Sequence, residues 1–262
     1  MKYYITKNPL EDDEIYGFEF EEKYNNLYIY KNKNAFNIGY YLAENIEESY
    51  NPFKMQNEFI SGLIANNKIE NEKYFQNIEK SEILNCKKII DFNEETKEYM
   101  IKYNVKAKKD CNIYLSSDYD LQIYINDEPQ FKNYSNIWST ETGIKQIKYL
   151  KQDENIQFTV KTKQNLELLY LYVSNIEEIQ KVIDKRNNNY FTDIEINKNG
   201  LTGTAKFKDD GYIVFGISYD KHWKILVDGK ESKSEAIAGC FLGTKLEKGK
   251  HEIKIEYNTK FT

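Results

Sequence analysis

From residue 98 onward, apolar and polar positions alternate along the chain. Tyr99, Ile101, Tyr103, Val105 and Ala107 share one parity, with Met100, Lys102, Asn104 and Lys106 between them. A period of two places one set against a core and the other in water, so this stretch predicts a half-buried antiparallel strand. Short runs of the same kind predict strands at 112–115, 121–125, 143–150, 155–161 and 166–173. After residue 189 the pattern returns, with strands expected at 190–196, 200–208, 212–218, 223–227, 240–245 and 251–257. The N-terminal part is mixed. It predicts strands at 3–6, 15–21, 27–30 and 38–42, with a hairpin turn at Asn25-Asn26.

Two segments carry a helical period instead. Asn51-Pro52 supplies an N-cap and a first-turn proline, and Phe53, Gln56, Phe59, Ile60, Leu63 and Ile64 then form a stripe. This predicts an amphipathic helix of about four turns, ending near Asn66. Ser174-Asn175-Ile176-Glu177 reads as a capping box, with Ile176, Ile179, Val182 and Ile183 on one face and an end at Arg186–Asn189.

The two β-rich stretches resemble each other. At an offset of 100, Lys106, Lys108, Asp110, Ile113, Tyr119 and Asp120 recur as Lys206, Lys208, Asp210, Ile213, Tyr219 and Asp220. One residue of gap later, Ile123–Asp127 faces Lys224–Asp228, and Leu150–Asp153 faces Leu246–Gly249. The fold class expected is mainly β: tandem antiparallel β-sandwich (jelly-roll-like) units with a smaller α+β N-terminal region. The expected divisions are 1–95 for that region, 96–174 for the first sandwich, 175–189 for a helical connector and 190–262 for the second sandwich.

Composition narrows the function classes. The chain has 262 residues, with 23 Tyr against 2 Trp, and tyrosine suits strands. Its 37 basic and 42 acidic residues are well mixed, which leaves no basic stripe for a nucleic-acid backbone, so no nucleic-acid partner is expected. There is no apolar run of 18 residues and no signal-peptide pattern at Met1–Ile5. Cys86, Cys111 and Cys240 are widely spaced, and His222 and His251 have no ligand pattern around them. No metal and no cofactor is therefore expected. Nothing resembles a P-loop, a GxGxxG turn or an ordered Ser-His-Asp set, so no catalytic residue is assigned.

One dense cluster of sugar-compatible side chains remains: Tyr219, Asp220, His222 and Trp223. Aromatic rings stack on sugar faces, and Asp and His bond hydroxyls. The same residues also suit a plain structural role, because a Trp opening a strand packs in a core and an Asp before a turn bonds backbone amides. Both readings stand on the sequence.

The same stretch carries a family resemblance. Tyr219-Asp220-Lys221-His222-Trp223, followed by Val227-Asp228-Gly229-Lys230, resembles the Tyr-Asp-Lys-Gly-Trp and Val-Asp-Gly-Lys pattern of YfhO-like bacterial membrane proteins. Ala238–Gly243 resembles that family's Gly-Ala-Phe-Leu-Gly stretch, and Leu246–Ile253 its Leu-Pro-x-Gly-x-His-x-Ile. Near the N-terminus, Lys2-Tyr3-Tyr4-Ile5 and the run from Tyr30 through Ala35 to Gly39 also match. His222 stands where the family has Gly, and Glu247 where Pro is usual. The resemblance implies the soluble portion of a polytopic protein with a glycosyltransferase-C-like membrane core. That core is associated with glycosylating envelope polymers such as lipoteichoic acid from lipid-linked sugars. It further implies a location on the extracytoplasmic face of the bacterial membrane, with membrane attachment through parts of the parent outside this chain. Its catalytic acid would lie in a membrane-helix loop absent here. The expected partner is an envelope glycan or a lipid-linked sugar, and the competing reading is a structural or protein-interaction domain.

Overall fold

A computed structural model describes residues 2–10, 17–64, 72–117, 121–131, 143–163, 166–185 and 190–258. The chain opens with strands β1 (Tyr3–Thr6), β2 (Phe18–Tyr24), β3 (Leu27–Asn32) and β4 (Gly39–Leu42), then helix α1 (Pro52–Gly62). Nine strands follow: β5 (Phe75–Asn77), β6 (Leu84–Asn93), β7 (Glu98–Ala107), β8 (Cys111–Ser117), β9 (Gln122–Ile125), β10 (Glu128–Phe131), β11 (Gly143–Leu150), β12 (Asn155–Thr162) and β13 (Leu169–Asn175). After helix α2 (Ile176–Lys185) come β14 (Tyr190–Asn197), β15 (Gly200–Phe207), β16 (Gly211–Ser218) and β17 (Trp223–Val227). The chain closes with β18 (Lys230–Ser232), β19 (Glu235–Ile237), β20 (Phe241–Leu246) and β21 (Gly249–Tyr257).

By its contacts the chain divides into two compact units, each discontinuous in sequence. One comprises residues 49–57 and 71–179, the other 1–48, 58–70 and 180–262. In the first, a five-stranded sheet ordered β10-β9-β12-β7-β6 faces a four-stranded sheet ordered β11-β8-β13-β5. Their facing sides meet in a core that includes Ile101, Tyr103, Ile113, Leu115, Ile123 and Phe158, every one at most 2% exposed. Burying each such side chain stabilises the fold by about 1.5–3 kcal/mol relative to exposure. In this unit the start of α1 covers the other side of the smaller sheet, where Phe53 stacks on Tyr172 with ring centroids 4.5 Å apart. Asn57 fastens it there. Its amide donates to the Phe53 and Phe75 carbonyls, and its oxygen accepts from the Tyr74 and Phe75 amides.

The other unit repeats this plan. Its five-stranded sheet is ordered β14-β15-β21-β17-β18 and its four-stranded sheet β19-β20-β16-β4. The repeat read from the sequence holds down to individual bonds. Asp110 accepts the Gln152 amide at 2.8 Å, and Asp210 accepts the Lys248 amide at 2.8 Å, so each carboxylate holds the turn before the last core strand of its sheet. Ile113 and Ile213 are both fully buried. In the second hairpin the register differs by one residue from the sequence comparison. Ile123 faces Val160 as Ile225 faces Ile255, which makes Asn126, not Asp127, the counterpart of Asp228. Tyr119 and Asp120 lie outside the described residues.

A three-stranded sheet ordered β1-β3-β2 completes the unit that holds the N-terminus. Strand β4 does not belong to it. It pairs instead with β16, Leu42 opposite Tyr212 and Gly39 opposite Phe215. The last sandwich therefore draws a strand from the beginning of the chain, where the sequence reading had contiguous stretches.

Several elements differ from expectation. Helix α1 ends at Gly62, and residues 65–71 lie outside the described ones. Asn51 caps it as expected, accepting the Phe53 amide at 3.0 Å. Helix α2 is capped by Asn175, which accepts the Glu178 amide, and not by Ser174, whose hydroxyl accepts the Asn112 amide. Its expected end at 186–189 lies outside the described residues. The ten-residue β6 was not foreseen, because Lys88 and Ile89 invert the alternation. As an edge strand it tolerates that inversion.

Candidate functional site

The cluster picked out from the sequence sits on the loop from β16 into β17. The loop is braced by its own atoms. Asp220 Oδ1 accepts the His222 amide at 2.8 Å and lies 2.5 Å from His222 Nδ1. The Trp223 amide donates to the Asp220 carbonyl at 3.1 Å. The His222 amide foremost, and its imidazole next, hold the Asp220 carboxyl below its ordinary value of 3.8. The Tyr219 amide donates to the Cys240 carbonyl, and the Asn258 amide to the His222 carbonyl. Asp220 thus serves the turn, while the Tyr219 side chain stays 39% exposed.

Trp223 points elsewhere. It is partly buried against the core of its sandwich and meets Tyr257 edge-on, with centroids 4.8 Å apart. Together they line a cavity of about 320 Å³ at one open end of this sandwich. Leu201 and Ile255 continue the wall on the five-stranded sheet, and Ile38 and Ile217 stand on the side of the four-stranded sheet. Asn197, Lys198 and Asn199, in the turn between β14 and β15, supply its polar border. Of the four residues expected from the sequence, Trp223 lines the cavity; Tyr219, Asp220 and His222 do not.

Local structure opens this end. The pairing of β16 with β20 slips between Phe215 and Ser218, a bulge that places Ile217 at the cavity, and bulges bend strands at such rims. On the opposite wall β15 runs hard against β21: a Cβ on Gly200 would strike the Ile255 carbonyl oxygen. The other sandwich is an internal control. By register, Leu121 and Thr162 occupy the places of Trp223 and Tyr257, and they are only 2% and 4% exposed. At the matching positions an aliphatic and a small polar side chain are both buried. In the sandwich with the cavity two rings take those positions, and both are only partly buried where they line it.

Chemically, the cavity offers an aromatic edge and aliphatic walls with amide and ammonium groups at the border. None of its lining residues is acidic, so it holds no carboxylate pair of the kind glycoside hydrolysis uses. Among the described residues no group of three or more His, Cys, Asp or Glu could hold a metal ion. Sequence reasoning missed Tyr257 and the 197–199 turn. Tyr257 reads simply as the last alternating residue of its strand, and only strand pairing sets it opposite Trp223.

These features describe a largely apolar hollow with a polar border on a β-sandwich scaffold. The family model of the bacterial membrane protein YfhO matches residues 1–262, so the chain belongs to the YfhO family. Protein YfhO of Bacillus subtilis, itself described as uncharacterised, is 29% identical over 92 residues. That match covers 35% of this chain and 11% of that protein. Among solved structures, a β-glucosidase from Kluyveromyces marxianus is similar at a TM-score of 0.23 and 7% identity, over 65% of this chain and 41% of that one. An anti-sigma factor domain-containing protein from Clostridium clariflavum is similar at 0.19 and 13%, over 70% and 87%. Likeness that weak carries no functional meaning. Among the described residues no helix is long and apolar enough to cross a membrane.

Proposed function

We propose that this chain is the part of a YfhO-family membrane protein that stands on the extracytoplasmic face. There it recognises a cell-envelope glycopolymer, such as lipoteichoic acid, and positions it for glycosylation by a membrane-embedded transferase core. The observation that carries this reading is the partly exposed aromatic corner. Trp223 and Tyr257 line a cavity bordered by Asn197, Lys198 and Asn199, with Tyr219 exposed on the adjoining loop. Rings give a sugar an apolar face, and amides bond its hydroxyls. The chain itself contributes recognition, not bond-breaking.

A second reading, a structural or protein-docking domain, draws on the loop's self-bracing, since Asp220 directs its carboxylate to His222 and not outward. Fluorescence separates the two. The chain has two tryptophans, Trp138 and Trp223, so a Trp138→Phe variant leaves Trp223 as the reporter. Titration with lipoteichoic acid and with short glycan oligomers is expected to give a saturable change, absent from Trp223→Phe. A flat titration, matched by no heat in calorimetry at millimolar ligand, would abandon glycan recognition in favour of docking.

A further inference from the structure

We infer that the interior of the cavity, behind the Trp223–Tyr257 edge, binds the end of an aliphatic hydrocarbon chain belonging to an anionic amphiphile. The inference rests on the reading of this cavity as a ligand site and assigns its two parts to different chemistry. The walls behind the border are Ile38, Leu201, Ile217 and Ile255, closed on one side by the two rings. These side chains offer no hydrogen-bonding group. A sugar ring pushed fully inside would strip water from its hydroxyls with nothing to replace it, a cost that outweighs the area it buries. A hydrocarbon chain has no such cost and gains from every methylene that leaves water.

Size and charge agree. A methylene occupies about the volume of a water molecule, ~30 Å³, so the 320 Å³ cavity, its mouth included, takes at most roughly ten carbons. The border is polar on one side only, where Asn197 and Asn199 flank Lys198. Among the described residues no carboxylate pairs with the Lys198 ammonium, so its charge is available to an anionic head such as a phosphate. In a family of membrane proteins, an amphiphile with that polarity is at hand. In the other sandwich the matching positions hold Leu121 and Thr162, both buried.

The chemistry fits a straight acyl chain or a branched isoprenoid, and the test distinguishes them. The Trp138→Phe chain would be titrated with alkyl phosphates of six to fourteen carbons below their micelle concentrations. Geranyl and farnesyl phosphate form a second arm, and inorganic phosphate and a lipid-free glycan oligomer a third. One-to-one binding is expected, with affinity rising about fourfold per added methylene and levelling off near ten carbons, while inorganic phosphate alone does not bind. Tighter binding of the branched chains at equal carbon number identifies an isoprenoid; the reverse identifies an acyl chain. Ile217→Phe, which fills the hollow, should abolish binding. Should that variant misfold, Lys198→Glu supplies the second check, lowering affinity for alkyl phosphates at least tenfold while sparing a neutral alkyl maltoside.

Glycan binding with no chain binding would overturn this inference and leave the proposed function standing. Chain binding without glycan binding would do the opposite. Affinity that keeps rising past twelve carbons, or that survives Ile217→Phe in a folded protein, would mean that chains adsorb elsewhere, and the inference would fall. Binding by neither would leave the cavity to a protein side chain, and both would fall.

Discussion

At the residue scale, most of the polar side chains singled out by their spacing turn out to hold backbone in place. Asp110 and Asp210 each pin a turn, and Asp220 pins the loop that leads to Trp223. Asp228 does so too and also holds a side chain: Oδ1 accepts the Glu252 amide at 2.8 Å, and Oδ2 lies 2.8 Å from His251 Nδ1. On its other side His251 Nε2 faces the Glu247 carbonyl at 3.1 Å. The imidazole bond, followed by the Glu252 amide, holds the Asp228 carboxyl below its ordinary value of 3.8. A depressed carboxyl stabilises the fold above its unfolded pKa, and that stability is lost as pH falls through the folded one. Asp228→Asn is therefore expected to be less stable than the parent at pH 7. As pH falls from 3.8 through the lower folded value the two should converge. Urea melts across pH 2–7 measure the gap, and a gap that persisted unchanged at pH 2 would show that the charge plays no part.

At the element scale, the two hairpins at equivalent places show one backbone solved with two sequences. Asp228-Gly229 turns with φ of 51° and 76°, and Asn126-Asp127 with 49° and 67°. Two successive positive φ values make a type I′ turn, which matches the twist of the flanking strands and favours Gly at its second position. Asp127 adopts that conformation at a cost its counterpart Gly229 avoids. Asp127→Gly should stabilise its sandwich by about 0.5–1 kcal/mol, visible as a higher midpoint in thermal unfolding. A lower midpoint would mean that the Asp127 side chain contributes more than the strain it bears. The strands around these turns were legible because alternation and turn chemistry agree there. Strands β18 and β19 were not, each being three residues long and too short to show a period.

At the scale of the whole molecule, strand β4 decides how the last sandwich is completed. Pairing with β4 satisfies the backbone of β16 from Tyr212 to Phe215 and brings Tyr41 into the core beside Phe207, with centroids 5.0 Å apart. A fragment of residues 190–262 lacks that strand and leaves a buried edge unpaired, which costs far more than an exposed one. Such a fragment should fail to give a cooperative thermal transition by circular dichroism, and a peptide spanning residues 36–46 added in trans should restore one. Cooperative melting of the fragment alone would show that β4 is dispensable.

The chain's own pattern was enough to determine the antiparallel β character, the repeat and the turns, because period-two alternation and residues that tolerate positive φ act over a few neighbours. It also marked Trp223, through the density of aromatic and polar groups around it. Three things were left to tertiary structure. One is the donation of β4 across more than a hundred residues to pair with β16. Another is the meeting of Trp223 with Tyr257 across two strands. The last is that Trp223 and Tyr257 border a hollow where the matching Leu121 and Thr162 are buried. Each depends on which distant strands pair and how much volume their side chains bring to one place, and no local period records that.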